Sequence, residues 1–194
     1  MLIVDSYAVA VVLCIVTMLC WGSWANTLKL ASKEWPFPLY YWDYAIGLVL
    51  TSLLLGLTIG SLGSEGRGFV ADLGQAGGVA LVSAFLGGVV FNLANLLVVA
   101  AIDVAGLAVA FPVAIGLALV VGVVVNYQAT PLGSPVLLFG GVALVVAAIL
   151  VDARAYAKLP SARGATGKGL ALSVLAGLLM GFFYRFVAAA MITD

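Results

Sequence analysis

Runs of about 20 apolar residues recur along this chain and restrict its fold more than any other feature. A helix that crosses a bilayer needs about 20 such residues, and lipid offers no partner to an unpaired backbone amide. Hydrophobic residues make up 65% of the sequence and charged residues only 8%, whereas soluble domains carry about 25% charged residues. The sequence therefore predicts an all-α integral membrane protein, with the lipid bilayer as its first partner.

Turns and polar stretches divide the apolar sequence into six expected membrane spans. We place them at 7–30, 40–60, 77–102, 107–125, 136–151 and 170–192. Basic residues near span ends indicate orientation, because they are enriched on the cytoplasmic side. One side of the membrane has only Arg67, and the other side has Lys29, Lys33, Arg154, Lys158, Arg163 and Lys168. We therefore expect a multi-pass protein of the cell (inner) membrane, with the N-terminus outside and the 153–168 loop in the cytoplasm.

Several function classes are disfavoured by what the sequence contains. The formal net charge is zero, so there is no electrostatic basis for nucleic-acid binding. Histidine, the commonest general base and transition-metal ligand, is absent. The glycine-rich segment before the sixth span has Ala162 and Gly169 where a phosphate-binding loop needs Gly and Ser/Thr. We expect no enzyme, no catalytic residue, no cofactor and no metal.

Polar and aromatic side chains interrupt the spans at a few positions, which makes them candidates for binding a solute. An amide both donates and accepts hydrogen bonds, and an indole face stacks on a ring, so this set suits a small neutral polar solute. The candidate solute-binding residues are Trp21, Trp24, Asn26, Asn92, Asn95, Asn126 and Arg185.

Each of these residues also has a structural interpretation, which stays open at this point. The tryptophans suit an interfacial belt, and an asparagine inside a span can form a hydrogen bond between helices. Arg185 can extend its guanidinium to the headgroups. Asn92 and Asn95 lie one helical turn apart, and we expect them to point the same way.

Several short motifs together resemble the glucose/ribose-porter and ureide-permease branch of the drug/metabolite transporter superfamily. They are Trp21-Gly-Ser-Trp with Lys29, Tyr41-Trp-Asp-Tyr44, Asn126-Tyr127, Lys168-Gly-Leu-Ala-Leu-Ser and Leu179-Met-Gly-Phe-Phe-Tyr184. The resemblance covers nearly the whole chain and implies a secondary carrier, or permease, for a sugar or a ureide- or nucleobase-like solute. Carriers of this kind work by alternating access and usually have ten helices in two inverted repeats of five.

The resemblance also implies a division of the chain. Residues 1–152 are expected to form the first five-helix repeat, 153–168 a cytoplasmic linker, and 169–194 the first helix of a second repeat. When Gly181 is aligned with Gly22 in the sequence, Phe183 aligns with Trp24, as expected where a second repeat begins. We expect the missing second repeat, or a homo-oligomer partner, to supply the facing helices, and the 194-residue form to associate or to be unable to transport.

Two further residues have expected roles in a transport cycle. Asp43, near the start of the second span, is the best-placed acid for proton coupling, as the resemblance to proton-linked symporters implies. Pro112, inside the fourth span, removes a backbone hydrogen bond to Ala108 and is expected to act as a hinge. The alternative is a non-transporting membrane subunit, or a minimal channel-like assembly, in which the polar residues only hold helices together.

The expected orientation predicts which loops an impermeant thiol reagent reaches in intact cells. With Cys14 and Cys20 replaced, single cysteines at positions 158 and 163 should resist labelling, and those in the Gly63–Gly68 connector should react. Labelling of position 158 from outside would reverse the orientation.

Overall fold

The protein is all-helical throughout the part of the chain that the computed structural model describes. That part comprises residues 4–31, 34–63, 66–158 and 166–191. Its helices are α1 (Tyr7–Ala31), α2 (Phe37–Leu57), α3 (Phe69–Gln75), α4 (Gly78–Ala105), α5 (Leu107–Ala129), α6 (Pro135–Ala157) and α7 (Gly167–Met191). All except α3 are long and apolar enough to cross a membrane, so 6 candidate spans lie within the described residues. The predicted all-α membrane fold is confirmed.

The structure contains more helix between the spans than the sequence predicts. The connector after α2 contains the short helix α3, and α4 continues through Asp103 to Ala105. The predicted turn from Asp103 to Gly106 is therefore shorter than expected and consists of Gly106, whose φ of 81° favours glycine. Hydropathy falls at polar residues, whereas a helix continues as long as its backbone hydrogen bonds do. Lys33, Arg163 and the 159–165 part of the predicted linker lie outside the described residues.

The chain forms two compact units, residues 1–76 and 77–194. In the first unit α1 and α2 meet near the turn between them, where the Thr27 hydroxyl lies 3.0 Å from the Tyr40 hydroxyl. Leu28 is buried at this contact. Helix α2 begins two residues after Trp35 and has proline in its first turn, where the missing N–H costs nothing. The first unit is thus a helical hairpin whose two long helices are in contact near the turn that joins them.

Helix α7 packs against both α4 and α5 in the second unit. A Cβ atom on Gly87 would lie 3.1 Å from Val187 Cγ2, and one on Gly169 would lie 2.5 Å from Ala105 Cβ. These two contacts lie at opposite ends of the pair, so α4 and α7 run antiparallel. The buried positions of α4 repeat at heptad-like separations, which keeps one stripe facing α7 over several turns. They are Gly87, Ala94, Asn95, Val98, Ala101 and Ala105.

The contact between α7 and α5 is close enough for backbone to touch backbone. A Cβ on Gly177 would lie 2.6 Å from the Ala114 carbonyl oxygen, and one on Gly181 would lie 2.7 Å from Val121 Cβ. Both glycines therefore stand where no larger residue fits, as their Gly-x-x-x-Gly spacing predicts. The core of the unit consists of Ala94, Val98, Ala114, Ala118, Ala176 and Met180.

These distances predict a large difference between two glycine-to-alanine substitutions. Gly177→Ala should lower the free energy of unfolding by about 1–3 kcal/mol, because the new methyl group meets a backbone carbonyl. Gly140→Ala, on α6, meets no atom within 4 Å and should raise stability by up to about 1 kcal/mol, because alanine favours a helix over glycine. Unfolding by titration with a denaturing detergent in mixed micelles measures both. Equal effects would contradict the tight α5–α7 contact.

Candidate functional site

The residues predicted to bind solute divide between the two units. Trp21, Trp24 and Asn26 lie on α1, together with the proposed coupling acid Asp43 on α2. The remaining predicted residues belong to the second unit: Asn92 and Asn95 on α4, Pro112 and Asn126 on α5, and Arg185 on α7.

In the first unit a row of aromatic rings runs from the start of α2 to α1. Phe37 and Tyr41 have ring centroids 5.4 Å apart, and Tyr41 and Tyr44 5.7 Å apart. Tyr44 in turn lies 6.3 Å from Trp24, which is half-buried. Trp24 is seven residues from the end of α1, a distance of about 10 Å along the helix. The row therefore reaches about two turns into α1 from its end.

The other predicted residues of the first unit are more open. Trp21 is 42% exposed, and Asn26 and Asp43 are exposed as well. The hydroxyl of Thr27 donates to the Trp24 carbonyl oxygen over 2.6 Å and so helps to fix this part of α1. Tyr41 and Tyr44 entered the sequence-based prediction only as part of a family motif, although their three-residue spacing places both on one side of α2.

In the second unit the most enclosed polar candidate is Asn95, which is 4% exposed. It lies near the middle of α4, beside the buried Ala94 and close to Val98, one turn further on. Ser173 on α7 is also buried, but its hydroxyl donates to the Gly169 carbonyl of its own helix over 2.9 Å. Of the two buried polar side chains, Asn95 and Ser173, Asn95 therefore has the larger polar group.

The remaining amides and the arginine are less enclosed than Asn95. Asn92 is exposed while Asn95 is buried, so the expectation that the two amides point the same way is wrong. Residues three apart on a helix differ in direction by about 60°, which is enough to separate a buried face from an open one. Asn126 is half-buried and donates from Nδ2 to the Gly122 carbonyl oxygen over 2.7 Å. Arg185 is exposed on α7.

Three residues of the α4–α7 contact were not among the predicted binding residues. Phe91, one turn before Asn95 on α4, has its ring centroid 4.9 Å from that of Phe183 on α7. Ser83 donates a hydrogen bond to the Phe186 carbonyl oxygen over 2.8 Å and so joins α4 to α7. Phe91 and Asn95 are four residues apart and so share one side of α4, whereas Ser83 lies about 120° around the helix from Asn95. The four-residue spacing is the signal from which Phe91 could have been found.

No metal site is present among the described residues, where no group of three or more His, Cys, Asp or Glu side chains comes together. The free thiols of Cys14 and Cys20 are exposed on α1. The predicted site residues in the described part of the chain offer amides, aromatic rings and the charged groups of Asp43 and Arg185.

Comparisons with known proteins found both a matching family model and similar sequences. The family model described as ureide permease matches residues 40–166, more than half of the chain. Ureide permease 2 of Arabidopsis thaliana is 28% identical over 154 residues, or 77% of this chain and 39% of the relative. Ureide permease 4 of the same plant is 26% identical over 162 residues, or 81% of this chain and 40% of the relative.

A further relative gives the same result. Ureide permease 1 of Arabidopsis thaliana is 27% identical over 128 residues, or 66% of this chain and 33% of the relative. The chain thus spans about two fifths or less of the length of these curated relatives. No solved structure matches the chain. The ureide-permease part of the predicted resemblance is confirmed, whereas the sugar-porter branch and the wider superfamily stay predictions.

Proposed function

Because the chain belongs to the ureide permease family, we propose that it is part of a carrier that moves a small, neutral, ureide-like solute across the membrane. The multi-pass helical fold and the names of the relatives support transport rather than catalysis. The observation that carries the proposal is Asn95, a carboxamide that is 4% exposed near the middle of a span. A polar group at such a position is costly unless it serves binding or holds helices together.

The carboxamide of Asn95 matches the chemistry of a ureide. Its N–H₂ group donates and its carbonyl oxygen accepts, so it can form two hydrogen bonds with the O=C–N–H edge of a urea-derived solute. The residues that accompany it, Ala94 and Val98, are apolar and favour a neutral solute over an ion.

The finer parts of this proposal concern the transport cycle and its partners. We propose alternating access, with the facing helices supplied by a second repeat or by a second copy of the chain. Sugars and nucleobases are further solute classes that amides and aromatic rings could bind. Asp43 is the proposed proton-coupling carboxyl group, and the pH response of uptake by an Asp43→Asn variant tests that role. We place the carrier in the cell (inner) membrane.

The competing function is a membrane subunit in which the amides only hold helices together. Asn126 favours a structural role over solute binding, because its amide already donates to the Gly122 carbonyl oxygen of its own helix. Ser173 behaves in the same way and shows what a purely structural polar group looks like in this unit. The two functions differ in whether a solute stabilises the protein.

A solute-dependent thermal shift separates carrier from subunit. Allantoin, a ureide, should raise the melting temperature of the wild-type chain, because a ligand at 100 times its Kd adds about 2.7 kcal/mol. Asn95→Leu should remove this response while leaving the ligand-free melting temperature similar or higher, since leucine has a comparable volume and no polar group to bury. Pentoses, hexoses and nucleobases tested in parallel identify the preferred class.

Ser173→Ala is the matched control for that measurement. It removes the other buried polar side chain of the same contact and should retain the full response to allantoin. A response that persists in Asn95→Leu would exclude Asn95 from the site. A wild-type chain that responds to none of the solutes would favour the subunit.

Pro112 provides a separate test of the transport cycle. Helix α5 runs without interruption through Pro112, whose ring nitrogen cannot donate to the Ala108 carbonyl. If this weak point is a hinge, Pro112→Ala should leave the protein folded and monodisperse in detergent and slow several-fold the solute uptake by the carrier assembled with its facing helices. Unchanged uptake would make Pro112 a packing residue. The matched control is Pro135→Ala, at the first position of α6, where proline costs no hydrogen bond.

A further inference from the structure

We propose that Phe91 and Phe183 form an aromatic gate over Asn95, held closed by the hydrogen bond from Ser83 to the Phe186 carbonyl. The gate rests on the proposed function, because the molecule that it admits is the planar, neutral solute bound by the Asn95 amide. Its two rings lie 4.9 Å apart at an interplanar angle of 55°. None of these four gate residues was among the predicted binding residues.

The order of contacts along α4 and α7 places the gate on one side of Asn95. From the beginning of α4 come the Ser83–Phe186 hydrogen bond, then Gly87 against Val187, then the ring pair of Phe91 and Phe183. Asn95 follows one turn after Phe91, and the contact of Ala105 with Gly169 closes the opposite end. A solute that enters from the side where α4 begins therefore meets the two rings before it meets the amide.

The direction of the side chains brings the Phe183 ring and the Asn95 amide towards each other. In an α-helix every Cα–Cβ bond leans towards the N-terminus, so the Asn95 side chain leans towards the level of Phe91. Helix α7 runs antiparallel to α4, so the Phe183 side chain leans the opposite way, towards the level of Asn95. The low exposure of Asn95, 4%, agrees with such a cover.

The hydrogen bond that closes the gate differs from the other serine hydroxyl bonds in this unit. Ser83 reaches across to another helix, over 2.8 Å, whereas Ser173 bonds within its own helix. Of these two bonds, the one from Ser83 must break when α4 and α7 separate, and the one from Ser173 need not. Gly87, next to it, lets the helices approach closely enough for the bond to form, because a Cβ there would lie 3.2 Å from Phe186 Cβ.

A similar ring pair accompanies the related motif in α1. The alignment of Gly181 with Gly22 matches Phe183 with Trp24, and Trp24 lies 6.3 Å from Tyr44. Each of the two aligned positions thus holds an aromatic ring that pairs with a ring of another helix. Packing alone requires only apolar volume, so the aromatic character at both positions supports a role in handling a planar solute.

The accessibility of position 95 measures how well the gate is closed. It is given by the rate at which a cysteine at that position reacts with a small charged methanethiosulfonate reagent. The reporter is Asn95→Cys in the full chain without Cys14 and Cys20, in detergent micelles that expose both ends of the unit to water. Phe183→Ala should speed labelling at least tenfold, because it removes half of the cover. Phe182→Ala, the adjacent ring at 47% exposure, should leave the rate within twofold.

A second pair of variants keeps the test valid if Phe183→Ala does not fold. Ser83→Ala removes a single oxygen atom and should speed labelling about threefold, the effect of losing an average hydrogen bond between membrane helices. Ser173→Ala should leave the rate unchanged. Equal rates in folded Phe183→Ala and Phe182→Ala, or in Ser83→Ala and Ser173→Ala, would overturn the gate.

The labelling measurement contains no solute, so it is independent of the proposed function. If labelling follows the gate variants while allantoin fails to stabilise the wild-type chain, the gate stands and the solute class is wrong. If allantoin stabilises the chain and labelling ignores the gate variants, Asn95 binds solute by a route that the two rings do not cover.

Discussion

The close approach of α7 to α4 and α5 is the contact on which the second unit depends. Lipid tails are as apolar as leucine, so helices in a membrane gain little from hiding apolar surface and associate through tight packing and hydrogen bonds. Glycines at 87, 169, 177 and 181 make this packing possible, because a Cβ at any of them would press on the neighbouring helix. The smallest residues of the chain therefore determine which helices can meet.

The same tight packing makes the enclosed polar groups informative. Ala94, Ala114 and Ala176 fill the contact without donors or acceptors, so a polar side chain beside them has few neighbours with which to bond. Ser173 meets this difficulty by bonding to the backbone one turn earlier. Asn95 carries two N–H bonds and a carbonyl oxygen, more than one backbone group can satisfy. A solute with an amide edge can bond to both the donor and the acceptor of this group, which is why Asn95 carries the proposed function.

The sequence was sufficient for the class of fold, because hydropathy alone decides whether a helix can cross a membrane. It was less reliable where local hydrogen bonding decides: α3 was missed, and Asp103 belongs to α4 rather than to a turn. It could not tell Asn92 from Asn95, since exposure depends on which neighbouring helix is present. Phe91 and Phe183 were missed for the same reason, because their pairing joins residues far apart in sequence.

The hydrogen bonds of the second unit are of two kinds: those within one helix, and those between helices, which must break when the helices move apart. The bonds of Asn126 to Gly122 and of Ser173 to Gly169 lie within one helix and survive any rigid-body motion of that helix. The bond of Ser83 crosses from α4 to α7 and cannot survive their separation. A cross-helix bond in lipid contributes only about 0.6 kcal/mol on average, little enough for solute binding to offset. The contact between α4 and α7 thus combines tight packing with a cross-helix hydrogen bond that must break if the two helices are to separate.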